Sequence, residues 1–380
     1  MLMRIGEFFI SPVNLFSYLC RIKSQKNISM NNLLIIGNGF DLAHNMKTSY
    51  NHFIEYLVEE QFKANKFESA FTLGVGIENI RELINEITNG NDFVDQNFKN
   101  KFIRDLIWEF SLKYWCDIEN KYFELLNTTD NISCFFKDPK TLNSDFEIIK
   151  NYLVEYLKEQ EKEVKALESY KKMFNLLDSI ETRILNFNYT NTLQNLYSNE
   201  INESKIIHIH GELSNPINPI VFGYAANDEE SRELIDKNDN EYMRYIKKHL
   251  YKRTDNEKLL TYYLEGTEGI NVTIFGHSCG LSDKLILNQI LNHKNIKSIN
   301  IFYYEEYEHY FQTQVNIDRI MNKDEHFTKL VDFNNSHRMP QHNDTDEQVQ
   351  DFIQYIEPII SKRKEARTKH KLFQSNNVVR

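Results

Sequence analysis

The chain alternates short apolar segments with amphipathic helical patterns, and this alternation restricts the fold more than any other feature. Apolar runs typical of strands lie at Leu33–Ile36, Arg183–Phe187, Lys205–Ile209, Ile220–Phe222, Asn271–Phe275, Ser298–Tyr303 and Lys329–Phe333. Helical patterns separate several of them, at Arg232–Lys252, Asp283–Leu291 and Glu347–Ile360. Strands that alternate with helices form a mostly parallel sheet with helices on both faces. We therefore predict an α/β fold with a mostly parallel, doubly wound, Rossmann-like sheet.

A long stretch of helical periodicity separates the first strand from the others. Apolar side chains recur there at three- and four-residue steps. Helices are predicted at Phe53–Asn65, Ile80–Ile87, Ile103–Ile118 and Phe146–Leu177. We therefore predict a large helical insertion over residues 51–180, within a nucleotide-binding core made of residues 30–50 and 181–360.

The two ends of the chain differ in composition from the rest. Residues 1–29 contain an apolar run, but Pro12 and Asn14 interrupt it and no small-residue cleavage site follows, so it resembles neither a signal peptide nor a membrane span. Met30 directly precedes the first strand, and we predict that translation starts there and that residues 1–29 are an upstream extension. Residues 361–380 are rich in Lys and Arg and are predicted to be a disordered tail.

Charge and cysteine content exclude several classes of protein. The formal net charge of −10 disfavours a nucleic-acid-binding protein, because affinity for phosphate backbones comes mainly from Lys and Arg. The four cysteines are far apart and form no CxxC pair, so neither a zinc ribbon nor a disulfide framework is predicted. A reducing, cytoplasmic location without membrane attachment agrees best with this pattern.

A glycine turn follows the first strand. It reads Gly37-Asn38-Gly39-Phe40-Asp41 and precedes a predicted helix start. Two glycines allow the backbone to turn sharply and to approach a phosphate closely, and amides at a helix N-terminus attract an anion. A plain tight turn is the alternative. The pattern lacks the third glycine of a dehydrogenase fingerprint.

Asparagines follow the second strand, in the segment Asn186-Phe187-Asn188-Tyr189-Thr190-Asn191. Side-chain amides both donate and accept hydrogen bonds, so they can orient a water molecule or a ribose. Turn formation is the competing interpretation, because Asn favours turns for local reasons.

Two histidines lie on the next predicted strand. His208 and His210 should point the same way, because side chains on a strand alternate with a period of two. Histidine titrates near neutral pH, so one that lies beside Gly211 at a strand end could act as a general base. Structural histidines are the alternative. No carboxylate lies at a fixed ligand spacing, so we predict no metal.

The fourth motif, Gly276-His277-Ser278-Cys279-Gly280, lies between a strand and a helix. It matches G-x-S-x-G, the nucleophile elbow of α/β-hydrolases, and Asp332 and His337 follow in the required order. One alternative is therefore a hydrolase that uses Ser278. A glycine turn of a nucleotide-binding fold, with Ser278 on a phosphate or ribose, is the other interpretation.

The four motifs together resemble the bacteriophage abortive-infection family AbiH. The phrases that carry the resemblance are Ile36–His44 with Thr48, Tyr50 and Phe53, then Phe187–Asn191, His208–Gly211 and Phe275–Ser278. The resemblance covers about residues 30–335. It implies a role in defence against phage.

The same order of motifs is similar to the NAD-binding core of the sirtuins. This similarity implies that Gly37 and Gly39 flank the phosphates of NAD, that Asn188 holds the ribose or the attacking water, and that His210 is the base. It also implies that Gly276 and Ser278 lie on the adenosine side. The remaining predicted NAD contacts are Asn38, Phe40, Asp41, Tyr189, Thr190 and His277.

Two departures from the sirtuin pattern limit the function. Thr190 occupies the position of a sirtuin Asp, and the cysteine quartet of the sirtuin zinc module is absent, so deacylation is not expected. We predict an abortive-infection effector that hydrolyses the nicotinamide–ribose bond of NAD, and a homo-oligomer is a further expectation. The non-enzymatic alternative is a nucleotide-binding switch whose helical insertion recognises a phage or host protein.

Overall fold

A six-stranded parallel sheet forms the centre of the protein. The computed structural model describes residues 4–5, 8–9, 31–64, 100–113, 117–128, 138–321 and 328–377. The strands are β1 (Asn31–Ile36), β2 (Glu181–Asn186), β3 (Ile206–His208), β4 (Ile270–Phe275), β5 (Ile296–Tyr303) and β6 (His337–Arg338). Their order is β3-β2-β1-β4-β5-β6, and every pair is parallel. This is the doubly wound order of a Rossmann-type sheet, so the predicted fold class is confirmed.

The sheet order places a switch point between β1 and β4, where the chain turns to opposite sides of the sheet. In such sheets ligands bind beyond the carboxyl ends of the strands at this point. Both strands are central and end in apolar residues, and every residue of β4 is buried. Strands covered on both faces read as continuous apolar runs, which is why the sequence predicts these two strands well.

Thirteen α-helices lie within the described residues. They are α1 (Gly39–Ala43), α2 (Tyr50–Ala64), α3 (Lys101–Lys113), α4 (Ile118–Thr128), α5 (Pro139–Gln160), α6 (Glu168–Asp178), α7 (Thr192–Tyr197), α8 (Asp228–Asp236), α9 (Lys247–Leu250), α10 (Asn256–Gly266), α11 (Lys284–Leu291), α12 (Tyr307–Ile320) and α13 (Asp346–Asn377). Helices α10, α11 and α12 pack on one face of the sheet. Helices α1, α6, α7 and α13 pack on the other face.

A separate cluster of buried side chains joins α2–α5 to residues 213–246. We call this assembly, the described part of residues 50–160 together with residues 213–246, the helical cap. Its composition corrects two predicted boundaries. Residues 168–178 pack on the sheet with β1 because Tyr170 and Phe174 face the apolar side chains of that strand. Residues 213–246 pack with the helices of the insertion.

Two predicted strands are wrong. Ile220–Phe222 is not a strand: Ile220 and Phe222 pack in the cap while Val221 packs with the sheet cluster, so this run is apolar because it is buried between two layers. Lys329–Phe333 contributes a single bridge, Leu330 to Ile299, and the sixth strand is β6 instead. That strand is only two residues long and carries no apolar run, so no sequence pattern predicts it.

Two helix predictions also need correction. Arg232–Lys252 is interrupted at Asn238, whose positive φ of 52° ends the helical path, and continues as short turns before α9. Phe146–Leu177 is two helices, α5 and α6, separated by an extended backbone at Val164. The predicted helix Ile80–Ile87 lies outside the described residues.

The basic tail predicted to be disordered is helical up to Asn377, where α13 ends. Arg363 explains part of this order, because its guanidinium donates to Oδ1 of Asn32 at 3.2 Å and so anchors the helix to β1. Of residues 1–29, the structure describes only an antiparallel pair, Arg4–Ile5 with Phe8–Phe9. Across the described residues, no helix combines the length and apolar character needed to cross a membrane.

Candidate functional site

The glycine turns that follow β1 and β4 pack directly against each other at the switch point. The Gly39 N–H donates to the Gly276 carbonyl at 2.7 Å, and the Gly37 N–H donates to the Phe275 carbonyl at 3.3 Å. A Cβ on Gly39 would lie 2.7 Å from Cα of Gly276, so a side chain there would collide with backbone. The glycines were predicted to approach a phosphate, but the structure gives both amides a backbone partner. The exposed members of the two turns are Asn38 and Ser278.

A buried carboxyl group lies behind the first turn. Asp41 is 1% exposed, and Thr190 donates to its Oδ2 at 2.6 Å. Burial raises the pKa of Asp41 to about 7, although hydrogen bonds from Thr190, Thr192 and Asn188 oppose the rise. Asn188 also donates to the Gly37 carbonyl at 3.1 Å. Asn188 and Thr190 therefore brace the turn, and the Asn188 amide is engaged by protein groups.

Asp41→Asn should make the protein more stable at pH 8. The folded-state pKa of about 7 exceeds the ordinary 3.8, so the stability from this group is present below about pH 4 and is lost as pH rises to 7. An amide keeps the acceptor for Thr190 and removes the titration. We expect a gain of about 1–3 kcal/mol in the free energy of unfolding at pH 8 and little change at pH 4. Urea unfolding of both proteins at pH 4 and pH 8 measures this difference in the free energy of unfolding. A variant that is less stable than the wild type at pH 8 would contradict the raised pKa of Asp41.

His210 lies between aromatic rings at the end of β3. Its ring is close to parallel with those of Tyr189 and Tyr251, at centroid distances of 5.8 and 6.0 Å, and meets Phe187 edge-on. Its Nε2 lies 3.2 Å from Oδ1 of Asp283 and 3.0 Å from the Tyr251 hydroxyl. A carboxylate only accepts, so Nε2 must carry the proton and Nδ1 the lone pair. Burial lowers the pKa of His210, and Lys247 lowers it further, so the ring is neutral at pH 7.

His277 contacts the same carboxylate from the other side. Its Nε2 lies 3.3 Å from Oδ2 of Asp283, and its Nδ1 accepts the Cys279 N–H at 2.9 Å. The Nδ1 acceptor role fixes the proton on Nε2, facing Asp283. Both histidines are therefore oriented by one carboxylate.

Asp283 is held in turn by a fully buried lysine. The Lys247 ammonium, 0% exposed, lies 3.0 Å from Oδ1 of Asp283 and 3.0 Å from Oε2 of Glu119 on α4, and donates to the Ser282 carbonyl at 2.9 Å. Burial opposes ionisation of Asp283, but Lys247 and His210 hold its pKa well below the usual value. Burial raises the pKa of Glu119 to about 8 despite Lys247. Asp283 is therefore the stronger of the two counter-charges at neutral pH.

We call these five residues the polar cluster; its members are Glu119, Lys247, Asp283, His210 and His277. Only the two histidines lie in motifs that the sequence identifies as candidate site residues. Lys247 lay within a predicted helical pattern, where charged residues usually face solvent, and Glu119 lay in the insertion. Asp283 follows the glycine turn after β4 by three residues, and this position was the one available signal.

His208 does not share the environment of His210. Strand β3 ends at His208, so the two-residue alternation expected for the pair stops before His210. The His208 ring contacts Asn186 at 3.4 Å and Gln194 at 2.6 Å, and lies 3.8 Å from Glu212. The expectation that both histidines point to one site is wrong. In the described residues, no group of three or more His, Cys, Asp or Glu side chains is arranged to hold a metal ion.

The hydrolase triad is not assembled. Nε2 of His337 pairs with Asp351 at 3.1 Å and its Nδ1 contacts the Arg338 carbonyl at 2.7 Å, so neither nitrogen serves Ser278 or Asp332. His337 instead lines a groove of about 330 Å³ beside β5 and β6. A nucleophile elbow strains the backbone of the serine itself, whereas here the positive φ of 55° belongs to Cys279. Ser278 is exposed and unactivated.

A fluorophosphonate probe should therefore leave Ser278 unlabelled, and Ser278→Ala should be labelled to the same background level as the wild type. An unactivated serine hydroxyl is a weak nucleophile. Intact-mass spectrometry after incubation with the probe measures the label. Stoichiometric labelling that disappears in Ser278→Ala would restore the hydrolase interpretation.

The strand order and the glycine turns at the switch point define a Rossmann-type α/β protein whose candidate site is capped by helices. The family described as bacteriophage abortive infection AbiH matches residues 33–305, and the chain belongs to this family. Membership assigns it to abortive-infection defence against phage. No curated protein matches the chain. The matched region includes the cap, the last four residues of β1, strands β2–β5 and every member of the polar cluster.

Proposed function

We propose that this defence protein is an NAD glycohydrolase, an effector that cleaves the nicotinamide–ribose bond with His210 as the general base. The single observation that carries the proposal is the pairing of His210 with Asp283 beside the switch point. The pair orients a neutral imidazole, and among the described residues none hydrogen-bonds to its Nδ1. The base position is therefore Nδ1. Cationic nicotinamide is a good leaving group, so the protein need only present water and stabilise the ribosyl centre.

The two turns supply contacts for the rest of the nucleotide. Asn38 and Ser278 are polar, exposed and carried on backbone segments that touch through Gly39 and Gly276. We propose that they bind the phosphates or riboses, while the glycines hold the two turns together. Asn188 is a positioning residue here, because its amide braces Gly37.

The helical cap explains how such an enzyme would remain inactive before infection. His210 is only 4% exposed, and its ring neighbour Tyr189 packs against the cap cluster and meets Phe222 of the cap edge-on. Substrate reaches the ring only if the cap moves. We propose that a phage product or a host protein altered by infection binds the cap and opens the cytoplasmic effector.

The test compares protein purified from uninfected and from phage-infected cells. Each sample is incubated with NAD, and nicotinamide release is followed by chromatography. We expect release by the protein from infected cells and little by the other sample. Absence of release from both samples, with the cluster intact, would overturn the glycohydrolase proposal.

A second candidate, a non-enzymatic nucleotide switch, is favoured by one observation. The Asn188 amide and the Thr190 hydroxyl, which occupy positions of the catalytic sirtuin phrase, are both engaged by protein groups. This candidate predicts that calorimetry detects saturable NAD binding to protein from infected cells while nicotinamide is not released. The same two preparations therefore separate the two functions.

A further inference from the structure

A buried lysine connects the helical cap to the base. Lys247 begins α9, directly after Ile246 of the cap, and it is among the few large side chains that are completely buried. Burying an ammonium group is costly unless charged partners surround it. Its partners come from opposite sides: Glu119 lies on α4 of the cap, and Asp283 lies between β4 and α11 of the sheet layer.

We propose that Lys247 is a positioning residue that keeps His210 neutral by neutralising Asp283, and that Glu119 of the helical cap holds Lys247 in that place. The inference rests on the proposed role of His210 as a base. The experiments below, however, measure the protonation state of the His210 ring and the exchange of the Lys247 ammonium protons. Their outcome therefore does not depend on whether the protein cleaves NAD.

Two positively charged or ionisable groups share one carboxylate in the polar cluster. Asp283 lies within about 3 Å of both the Lys247 ammonium and the His210 ring. A carboxylate beside an imidazole favours the imidazolium, which has no lone pair and is no base. Lys247 supplies the positive charge instead, so Asp283 orients His210 without protonating it.

The other titratable groups around the cluster do not supply that charge. Tyr50, Tyr189 and Tyr251 stay neutral because burial raises their pKa values. Burial also raises the pKa of Asp117, which precedes Glu119 on the cap. His277 already directs its Nε2–H to Asp283. Lys247 is therefore the one strong cation of the polar cluster.

Glu119 links α4 to two other segments of the chain, one within the cap and one directly after it. Its Oε1 accepts the Gly223 N–H at 2.9 Å, and its Oε2 contacts Lys247. Gly223 approaches the Tyr245 carbonyl so closely that a Cβ would lie 2.1 Å from the carbonyl oxygen. The backbone around Gly223 therefore packs tightly against the residues that precede Lys247. Movement of α4 would therefore act on Lys247 directly.

The first experiment is histidine-ring NMR on ¹⁵N-labelled full-length protein. In the wild type at pH 7 we expect His210 as the neutral Nε2–H tautomer. In Lys247→Met we expect the pKa of His210 to rise by roughly 1–3, giving imidazolium at the same pH. A cationic His210 in the wild type, or a neutral one in Lys247→Met, would overturn the proposal. If Lys247→Met fails to fold, the wild-type spectrum still tests the proposal, because a cationic His210 there would overturn it.

The second experiment measures the exchange of the Lys247 ammonium protons with water by NMR. A buried ammonium group that donates three hydrogen bonds exchanges its protons slowly with water, so its ¹⁵N resonance should be visible. We expect Glu119→Ala to speed this exchange at least about tenfold, because one of three acceptors is lost. Glu124→Ala is the matched control, since Glu124 is an exposed glutamate on the same helix, 64% accessible. Unchanged exchange in Glu119→Ala would show that the cap does not hold Lys247.

Discussion

Replacing His210 with glutamine should lower nicotinamide release by about 10²–10⁴-fold, the usual contribution of a general base. Glutamine can still donate to Asp283 through its amide, so the variant keeps the hydrogen bond and loses the basic nitrogen. The expected loss is therefore in kcat and not in KM for NAD. Steady-state kinetics on protein from infected cells measures both constants.

His208→Gln is the matched control for this experiment. His208 is also buried, but it contacts Gln194 and Asn186 and not Asp283. Activity within about threefold of the wild type is expected, since this ring lies outside the polar cluster. An equal loss in both histidine variants would attribute the effect to folding and contradict the role of His210.

Replacing Gly276 with alanine should destabilise the protein by about 3 kcal/mol or more, and this is the largest expected effect on stability. Gly276 has a φ of 70°, which costs a side-chain-bearing residue roughly 1–2 kcal/mol. The new Cβ would also lie 2.5 Å from the Phe40 nitrogen, so the two turns would have to separate. Overpacking of this kind adds about 1–3 kcal/mol. Chemical unfolding followed by circular dichroism gives the difference.

Gly280→Ala provides the comparison within the same loop. Gly280 has a φ of −63°, and a Cβ there meets only Ser278 and Ser282 hydroxyls at 3.6 and 3.8 Å. We expect a change smaller than about 0.5 kcal/mol. If the two variants were equally stable, the back-to-back packing of the turns would be wrong.

The sequence predicted the parts of the fold whose signals are local. The apolar runs of β1 and β4 are buried on both faces and are bounded by glycine turns, so their place and type follow from a few adjacent residues. Ile220–Phe222 has the same local signal but lies between two layers without pairing, and only the tertiary packing distinguishes the two cases.

In the candidate site, too, only the residues with a local sequence signal could be predicted. His210 was found because it sits in a motif at a strand end, whereas Lys247 and Glu119 became visible only when α4 and α9 were brought together around Asp283. Charged residues in helical patterns usually face solvent. Their burial depends on contacts across more than a hundred residues of chain, which no local pattern reports.

The most direct test of the account is the NAD content of phage-infected cells that express the protein. Cells are sampled after infection, with the wild type compared with His210→Gln at equal protein levels and with His208→Gln as the control. We expect NAD to fall sharply with the wild type and with His208→Gln, and to stay at the uninfected level with His210→Gln. NAD that stays constant with the wild type while the infection aborts, or that falls equally with His210→Gln, would contradict it.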